Sequence, residues 1–356
     1  MIYHFCGTSP YITKYIDFLK SNRQSFNLNN HHFIINDTNT FQMDQATLQD
    51  IKYSLVNSKW GFISLLNKIK KNDTLIIHGL FNPRLLIYFY LFNRRLVERC
   101  IWSIWGGDVY FYRLKNDSCK NRIIEYLRSR VIPKFPKISC LVRGDYEIVR
   151  EVYGTNARYI CSFYPNPVDF KLIESVSDNK RANHKRFVMI GNSGDPSNNH
   201  IDAFDKLEKF KHENIQIICP LSYGDSSYIQ ETVAYGKKVF GDKFLPLTQF
   251  LAPTEYINLL AGIDVAIMNH DRQQALSNIL LLLALNKKVY LNGNTTHYKF
   301  FIDNGVLVYN ADLIANASYG HFISLSDTSL KNNATIVKNI FSEHAFISMW
   351  KDVFQE

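Results

Sequence analysis

"RFVMIGNSGDPSNNHIDAFDKLEKF", residues 186–210, places two glycines, three asparagines and two serines between an apolar run and an amphipathic one. "RFVMI" (186–190) has the length and composition of a buried strand. Phe204, Leu207 and Phe210 share one face of a helix read over 200–211. Gly191-Asn192-Ser193-Gly194 is therefore a strand-to-helix turn. Glycine accepts positive φ and lets a ligand approach the backbone, and the first N–H groups of a helix attract an anion. Asp195, Ser197 or Asn198 can cap that helix. Such a turn suits a diphosphate without a metal; an ordinary βα turn is the alternative.

The same alternation runs in both directions. Before the turn, strands are expected near 2–6, 32–36, 74–77, 100–105, 139–142 and 158–163, with helices at 62–71, 84–97, 117–131 and 145–153. After it come strands 215–219, 244–247, 264–268 and 288–291, and helices 226–236, 254–261, 274–285 and 296–303. "SVSDNKRANHK" (175–185) is polar, has no apolar period and reads as a linker. Strands alternating with helices argue for parallel βαβ units, and 356 residues exceed what one core usually holds. The expectation is an α/β protein of two Rossmann-like domains facing a central cleft, 1–175 and 185–325. A last helix, 330–351 within a segment 330–356, can pack back on the first domain.

A second anion site is read in "NHDRQQALSNILLLLALNKKVYL" (269–291), where Asn269, Arg272, Gln273 and Gln274 precede an apolar helix. An arginine there offers a fork to phosphate oxygens. Ser222 and Tyr223, at the end of the strand 215–219, are placed to touch a base or ribose. No Asp-x-Asp pair occurs, so no metal site is expected and no cofactor is called for. Arg272 and helix N-termini would carry the charge of a leaving diphosphate.

In the first half, polar motifs follow apolar strands: "CGTSP" (6–10), "HGLFNPR" (78–84), "WSIWGGDVY" (102–110) and "LVRGDYE" (141–147). They belong at the carboxyl edge of a parallel sheet, where ligands of such sheets bind. They supply Gly7, Asn82, Trp105, Gly107, Arg143 and Asp145 as contacts for a second substrate. Asp108 and His78 are the groups suited to proton transfer, although a strand-end Asp can equally be a cap and a lone His structural.

Charge is unevenly placed. Residues 1–180 hold 25 Lys and Arg against 15 Asp and Glu, and the remainder holds 16 against 17. The excess concentrates in 84–143, mixed with Leu, Ile, Phe and Tyr. That mixture suits an anionic lipid surface; nucleic acid and a plain solvated face are the competing readings. No apolar run approaches the roughly 20 residues of a membrane span, and no signal peptide is read at the start. Six scattered cysteines without paired spacing fit a reducing compartment.

On the motifs at 78–85, 102–110, 143–145, 191–201 and 272–285, the chain resembles glycosyltransferase family 56. It departs from the family pattern at Leu80, Gly107, Ala275, Leu276 and Asn286, where the pattern has Gln, Ala and then glycines. The resemblance implies a GT-B fold and metal-independent transfer of Fuc4NAc (4-acetamido-4,6-dideoxygalactose) or a related 6-deoxysugar. The donor would be a dTDP-sugar and the acceptor an undecaprenyl-diphosphate-linked glycan, at the cytoplasmic face of the inner membrane, with the protein peripheral. Gly191–Asp195, Ser197, Asn198, Ser222, Tyr223, Asn269 and Arg272–Gln274 would bind the donor, and Asp108 or His78 would activate the acceptor hydroxyl. A GDP-fucose-dependent fucosyltransferase and a sugar-nucleotide epimerase are alternatives on the same fold. A nucleic-acid-binding protein is the non-enzyme alternative, although no nucleic-acid module is recognised and no nucleic-acid partner is expected.

Overall fold

The computed structural model describes residues 1–36, 41–56, 58–114, 116–165, 170, 173, 185–324 and 327–354. The chain divides into two compact units, Met1–Asn166 with Ser342–Glu356, and Pro167–Phe341. Of the stretch 175–185 read as a linker, residues 175–184 lie outside the described residues.

The first unit is built on a seven-stranded parallel sheet. Its strands are β1 (Ile2–Gly7), β2 (His31–Asn36), β3 (Lys52–Leu55), β4 (Thr74–His78), β5 (Cys100–Ser103), β6 (Lys137–Cys140) and β7 (Arg158–Cys161). They lie in the order β3-β2-β1-β4-β5-β6-β7. The second unit holds β8 (Arg186–Ile190), β9 (Ile215–Pro220), β10 (Phe244–Leu247), β11 (Val265–Met268), β12 (Lys288–Leu291) and β13 (Tyr309–Asn310), in the order β10-β9-β8-β11-β12-β13. Both sheets follow one winding. It runs outward from the first strand, returns, and continues on the other side, leaving a switch point at β1/β4 and another at β8/β11. Central strands such as β5 and β11 are buried on both faces and read as unbroken apolar runs for that reason.

Three expected helices are corrected, and the edge strand β3 is added. β3, "KYSL", was missed because an edge strand has no apolar run to betray it; two of its four side chains are basic or polar and most are exposed. The single helix expected over 84–97 is broken into Pro83–Ile87, a wide turn Tyr88–Phe92 and Arg94–Val97, with Asn93 leaving helical geometry and capping the last piece through Leu96 N–H. The helix expected over 200–211 stops at Leu207 and tightens into a 3₁₀ turn, Glu208–Phe210. The helix expected over 330–351 is two, Asp327–Ile340 and Glu343–Phe354, interrupted where Ser342 caps the second through Ala345 N–H. The first packs on Leu276–Ala284 in the second unit. The second seals the first unit: Trp350 is fully buried, lies tilted against Tyr15 with ring centroids 4.5 Å apart, and donates its indole N–H to the Phe163 carbonyl at 2.9 Å.

Candidate active site

In the second unit, the loop after β8 folds on itself around Asn198, which is fully buried. Asn198 Oδ1 accepts the Asn192 N–H at 2.9 Å, and its amide donates to Ser193 Oγ at 3.1 Å and to the Asp195 carbonyl at 3.0 Å. Gly191 has φ +66°, and a Cβ there would lie 2.8 Å from Asn198 Oδ1, so conformation and space both demand glycine. Gly194 pairs with the next loop: its N–H donates to the Tyr223 carbonyl at 2.6 Å and its own carbonyl accepts from Asp225 at 3.0 Å.

None of Asp195, Ser197 and Asn198 caps the helix His200–Leu207. Asp195 caps the short turn Pro196–Asn198, accepting the Ser197 N–H at 2.9 Å. Asn199, at φ +52°, stands before the helix, and the His200 N–H donates to the Tyr228 hydroxyl at 3.0 Å. At that helix start the His200 N–H is thus already taken by a protein group. Among the described residues, the loop amides left without an acceptor are those of Ser193 and Asp195.

The loop after β11 closes over the first. His270, absent from the sequence reading, is fully buried, and its Nε2 lies 2.9 Å from Asn192 Oδ1 and 3.0 Å from Asn198 Oδ1. Both partners are acceptors, so Nε2 carries the hydrogen and Nδ1 is bare. Burial, then His297, His200 and Arg272, hold the ring well below the ordinary imidazole pKa. Gln274 reaches Ser197 Oγ at 2.5 Å. Arg272 Nη2 stands 3.7 Å from Asp195 Oδ2, and its buried Nε has no partner among the described residues. The helix Leu276–Ala284 follows, entered through Ala275 at φ +56°. Asn269 is placed otherwise: buried, it donates its amide to Asp202 Oδ2 at 2.7 Å and ties β11 to the helix His200–Leu207. Tyr223 is half exposed, takes the Asn192 amide on its hydroxyl at 3.0 Å, and lies parallel to Phe250 at 5.8 Å. Ser222 is half-buried beside it.

In the first unit, a cavity of about 770 Å³ opens at the carboxyl ends of β1, β2, β4 and β5. Gly7, His78, Asn82 and Trp105 line it, with Arg84 and Lys120 added by the structure. Gly107, Arg143 and Asp145 are not among its lining residues. Arg143 is exposed beside Glu147, 3.4 Å away, and buried Asp145 accepts the Tyr110 hydroxyl at 2.9 Å. The positive φ in "WGGD" belongs to Gly106, at +94°, rather than Gly107.

Neither expected base offers a free atom to this cavity. Asp108 is buried, and its Oδ2 accepts the Leu80 N–H at 2.9 Å and the Trp102 indole at 2.8 Å, while Oδ1 accepts the Trp105 N–H at 3.0 Å. Burial raises its pKa against the pull of those donors and Arg128. Arg128, also buried, donates to the carbonyls of Leu80 at 3.1 Å and Asp108 at 2.5 Å. The two residues clamp the 79–81 and 105–108 loops together. His78 sits in a row of imidazoles. Its Nε2 is 3.0 Å from His4 Nδ1, its Nδ1 is 2.5 Å from the Tyr164 hydroxyl, and His4 Nε2 is 2.9 Å from His31 Nδ1. With one hydrogen per ring, the row is satisfied pointing either way. Burial pushes His78 down to about 3 and His31 to about 4, and holds His4 well below the usual range.

Two findings outside the molecule bear on this geometry. The family model described as 4-alpha-L-fucosyltransferase, glycosyl transferase group 56, matches residues 13–353. Among solved structures, the chain is similar to the lipopolysaccharide outer core galactosyltransferase WaaB, apo form, at 14% identity and TM-score 0.65 over 100% of this chain and 99% of that one. A glycosyltransferase from Rickettsia africae gives 14% and 0.63 over 99% and 97%. A UDP-forming α,α-trehalose-phosphate synthase from Burkholderia xenovorans gives 11% and 0.66 over 99% and 97%. At such identities the likeness concerns the fold, which is of the GT-B class.

Proposed function

The chain belongs to glycosyl transferase group 56, and from that premise we propose that this glycosyltransferase moves Fuc4NAc or a related 6-deoxysugar from a dTDP-linked donor to an undecaprenyl-diphosphate-linked oligosaccharide. The observation that carries the donor half is Arg272, half-buried beside the Asn192–Asp195 loop at the β8/β11 switch point, with its buried Nε unpartnered among the described residues. A diphosphate there would accept from Arg272, from the Ser193 and Asp195 amides, and from the first amides of Leu276–Ala284. The same donors would stabilise the charge that develops on the leaving diphosphate without a metal. Tyr223 and Phe250 offer ring faces to the base.

The acceptor would enter the first unit's cavity, where Asn82, Trp105, Arg84 and Lys120 stand. Asp108 and His78 act there as positioning residues, one holding the cavity loops and the other their floor. No helix among the described residues is long and apolar enough to cross a membrane. Exposed Leu91 and Phe92, beside Arg94 and Arg95, support peripheral attachment to an anionic membrane face. The cytoplasmic face of the inner membrane is the proposed location.

The printed family description names fucosyl transfer, which supports GDP-fucose as a second donor for the same site. Incubating the protein in EDTA with labelled dTDP-Fuc4NAc or GDP-fucose, and with the lipid-linked glycan, tests both. Label in the lipid fraction from the dTDP-sugar is expected; label from GDP-fucose alone replaces the donor, and label from neither overturns the reading.

A further inference from the structure

Arg84 borders two hollows. One is the cavity described above; the other is an apolar crevice of about 310 Å³ lined by Phe62, Ile63, Ile87, Tyr88 and Phe92. The single polar atom among those five side chains is turned away, since the Tyr88 hydroxyl donates to Asn67 Oδ1 at 2.6 Å. Ile87 and Phe92 remain exposed, so water meets apolar surface that the fold leaves uncovered. Arg84 and Lys120 are both exposed and have no carboxylate partner among the described residues. An apolar slot thus adjoins a polar cavity, with an unpaired cation at the border.

We propose that this crevice binds the first units of a lipid chain whose phosphate or diphosphate head is held at Arg84, so that the attached glycan enters the larger cavity. The charge selects the occupant: a free hydrophobic chain would leave Arg84 unanswered, and a free phosphate would leave Ile87 and Phe92 exposed. The widening of the helix over Tyr88–Phe92 brings Phe92, five residues on, to the crevice that Ile87 begins. This inference rests on the lipid-linked acceptor of the proposed function and names where its lipid is gripped.

The test uses farnesyl diphosphate carrying a diazirine at the tail, photolysed with the full-length protein and mapped by mass spectrometry. Label is expected on 62–63 or 87–92, displaced by unlabelled farnesyl diphosphate at a concentration at least about 10-fold below that needed with inorganic diphosphate, because only the former buries a chain. Ile87→Ser with Phe92→Ser should abolish that advantage, and Arg84→Ala should weaken both competitors. Label elsewhere, or equal competition by inorganic diphosphate, overturns the proposal. So does a double variant that loses binding to anionic vesicles yet labels as before, since the face would then meet the bilayer itself. Sugar transfer is measured separately. Transfer with label elsewhere removes this inference alone, whereas correct labelling without transfer removes the reading of the reaction and leaves the lipid site.

Discussion

Arg272 Nη2 stands 3.7 Å from Asp195 Oδ2, so the cation assigned to the donor's diphosphate is held by a carboxylate of the loop that would receive it. An incoming diphosphate must compete with that carboxylate. Asp195→Asn keeps an oxygen for the Ser197 cap and removes the charge. Affinity for a nucleoside diphosphate is expected to rise by about 3- to 10-fold, since one anion no longer opposes another across a partly buried cation. Titration of the variant checks it; a fall in affinity would mean that Asp195 itself meets the ligand.

His270 joins the two loops by donating one hydrogen to Asn192 Oδ1 and Asn198 Oδ1. His270→Ala removes a hydrogen bond from these oxygens, which keep the Asn192 N–H and the Gln274 amide, at a cost of about 0.5–1.5 kcal/mol. Chemical denaturation should show that loss, with weaker nucleotide binding. Unchanged stability would remove His270 from the architecture of the donor loop.

Asp108 accepts three hydrogens, so Asp108→Asn turns an amide donor against a donor. We expect a loss of about 2 kcal/mol with residual transfer that keeps the wild-type pH profile. A variant as stable as the parent but inactive would restore Asp108 as the base.

The imidazole row gives stability a pH dependence of known sign. His4, His31 and His78 all have folded pKa values below the ordinary 6.5, so the unfolded chain binds more protons in the window beneath it. Their contribution is complete above pH 6.5 and is lost as pH falls toward about 4 and then about 3. Denaturation midpoints measured from pH 7.5 down to 4.5 should fall, and less steeply in His31→Gln. A flat profile would contradict the buried, neutral row.

Sequence reading located the turn after β8 because its glycines and asparagines interrupt two strongly patterned segments. It missed β3 because an edge strand is amphipathic at best. His270, Arg128 and His4 escaped for another reason. Each acts through partners 72, 48 and 74 residues away, and nothing in local spacing marks such a pairing. The departures at Ala275 and Asn286 acquire a meaning only in the fold, where their φ values are +56° and +58°. A side chain there carries a strain of roughly 1–2 kcal/mol that glycine lacks. Ala275→Gly should therefore raise the unfolding free energy by about 0.5–1 kcal/mol after glycine's own entropy cost. Destabilisation instead would mean that the methyl group packs usefully.

Calorimetric titration of dTDP into the protein with EDTA present tests the donor site most directly. Binding is expected, preferring dTDP over UDP, GDP and CDP, and weakened about 10- to 100-fold by Arg272→Ala, with Arg143→Ala unchanged. Absence of binding by all four nucleotides, or full affinity in Arg272→Ala, would contradict the assignment of the β8/β11 switch point to the donor.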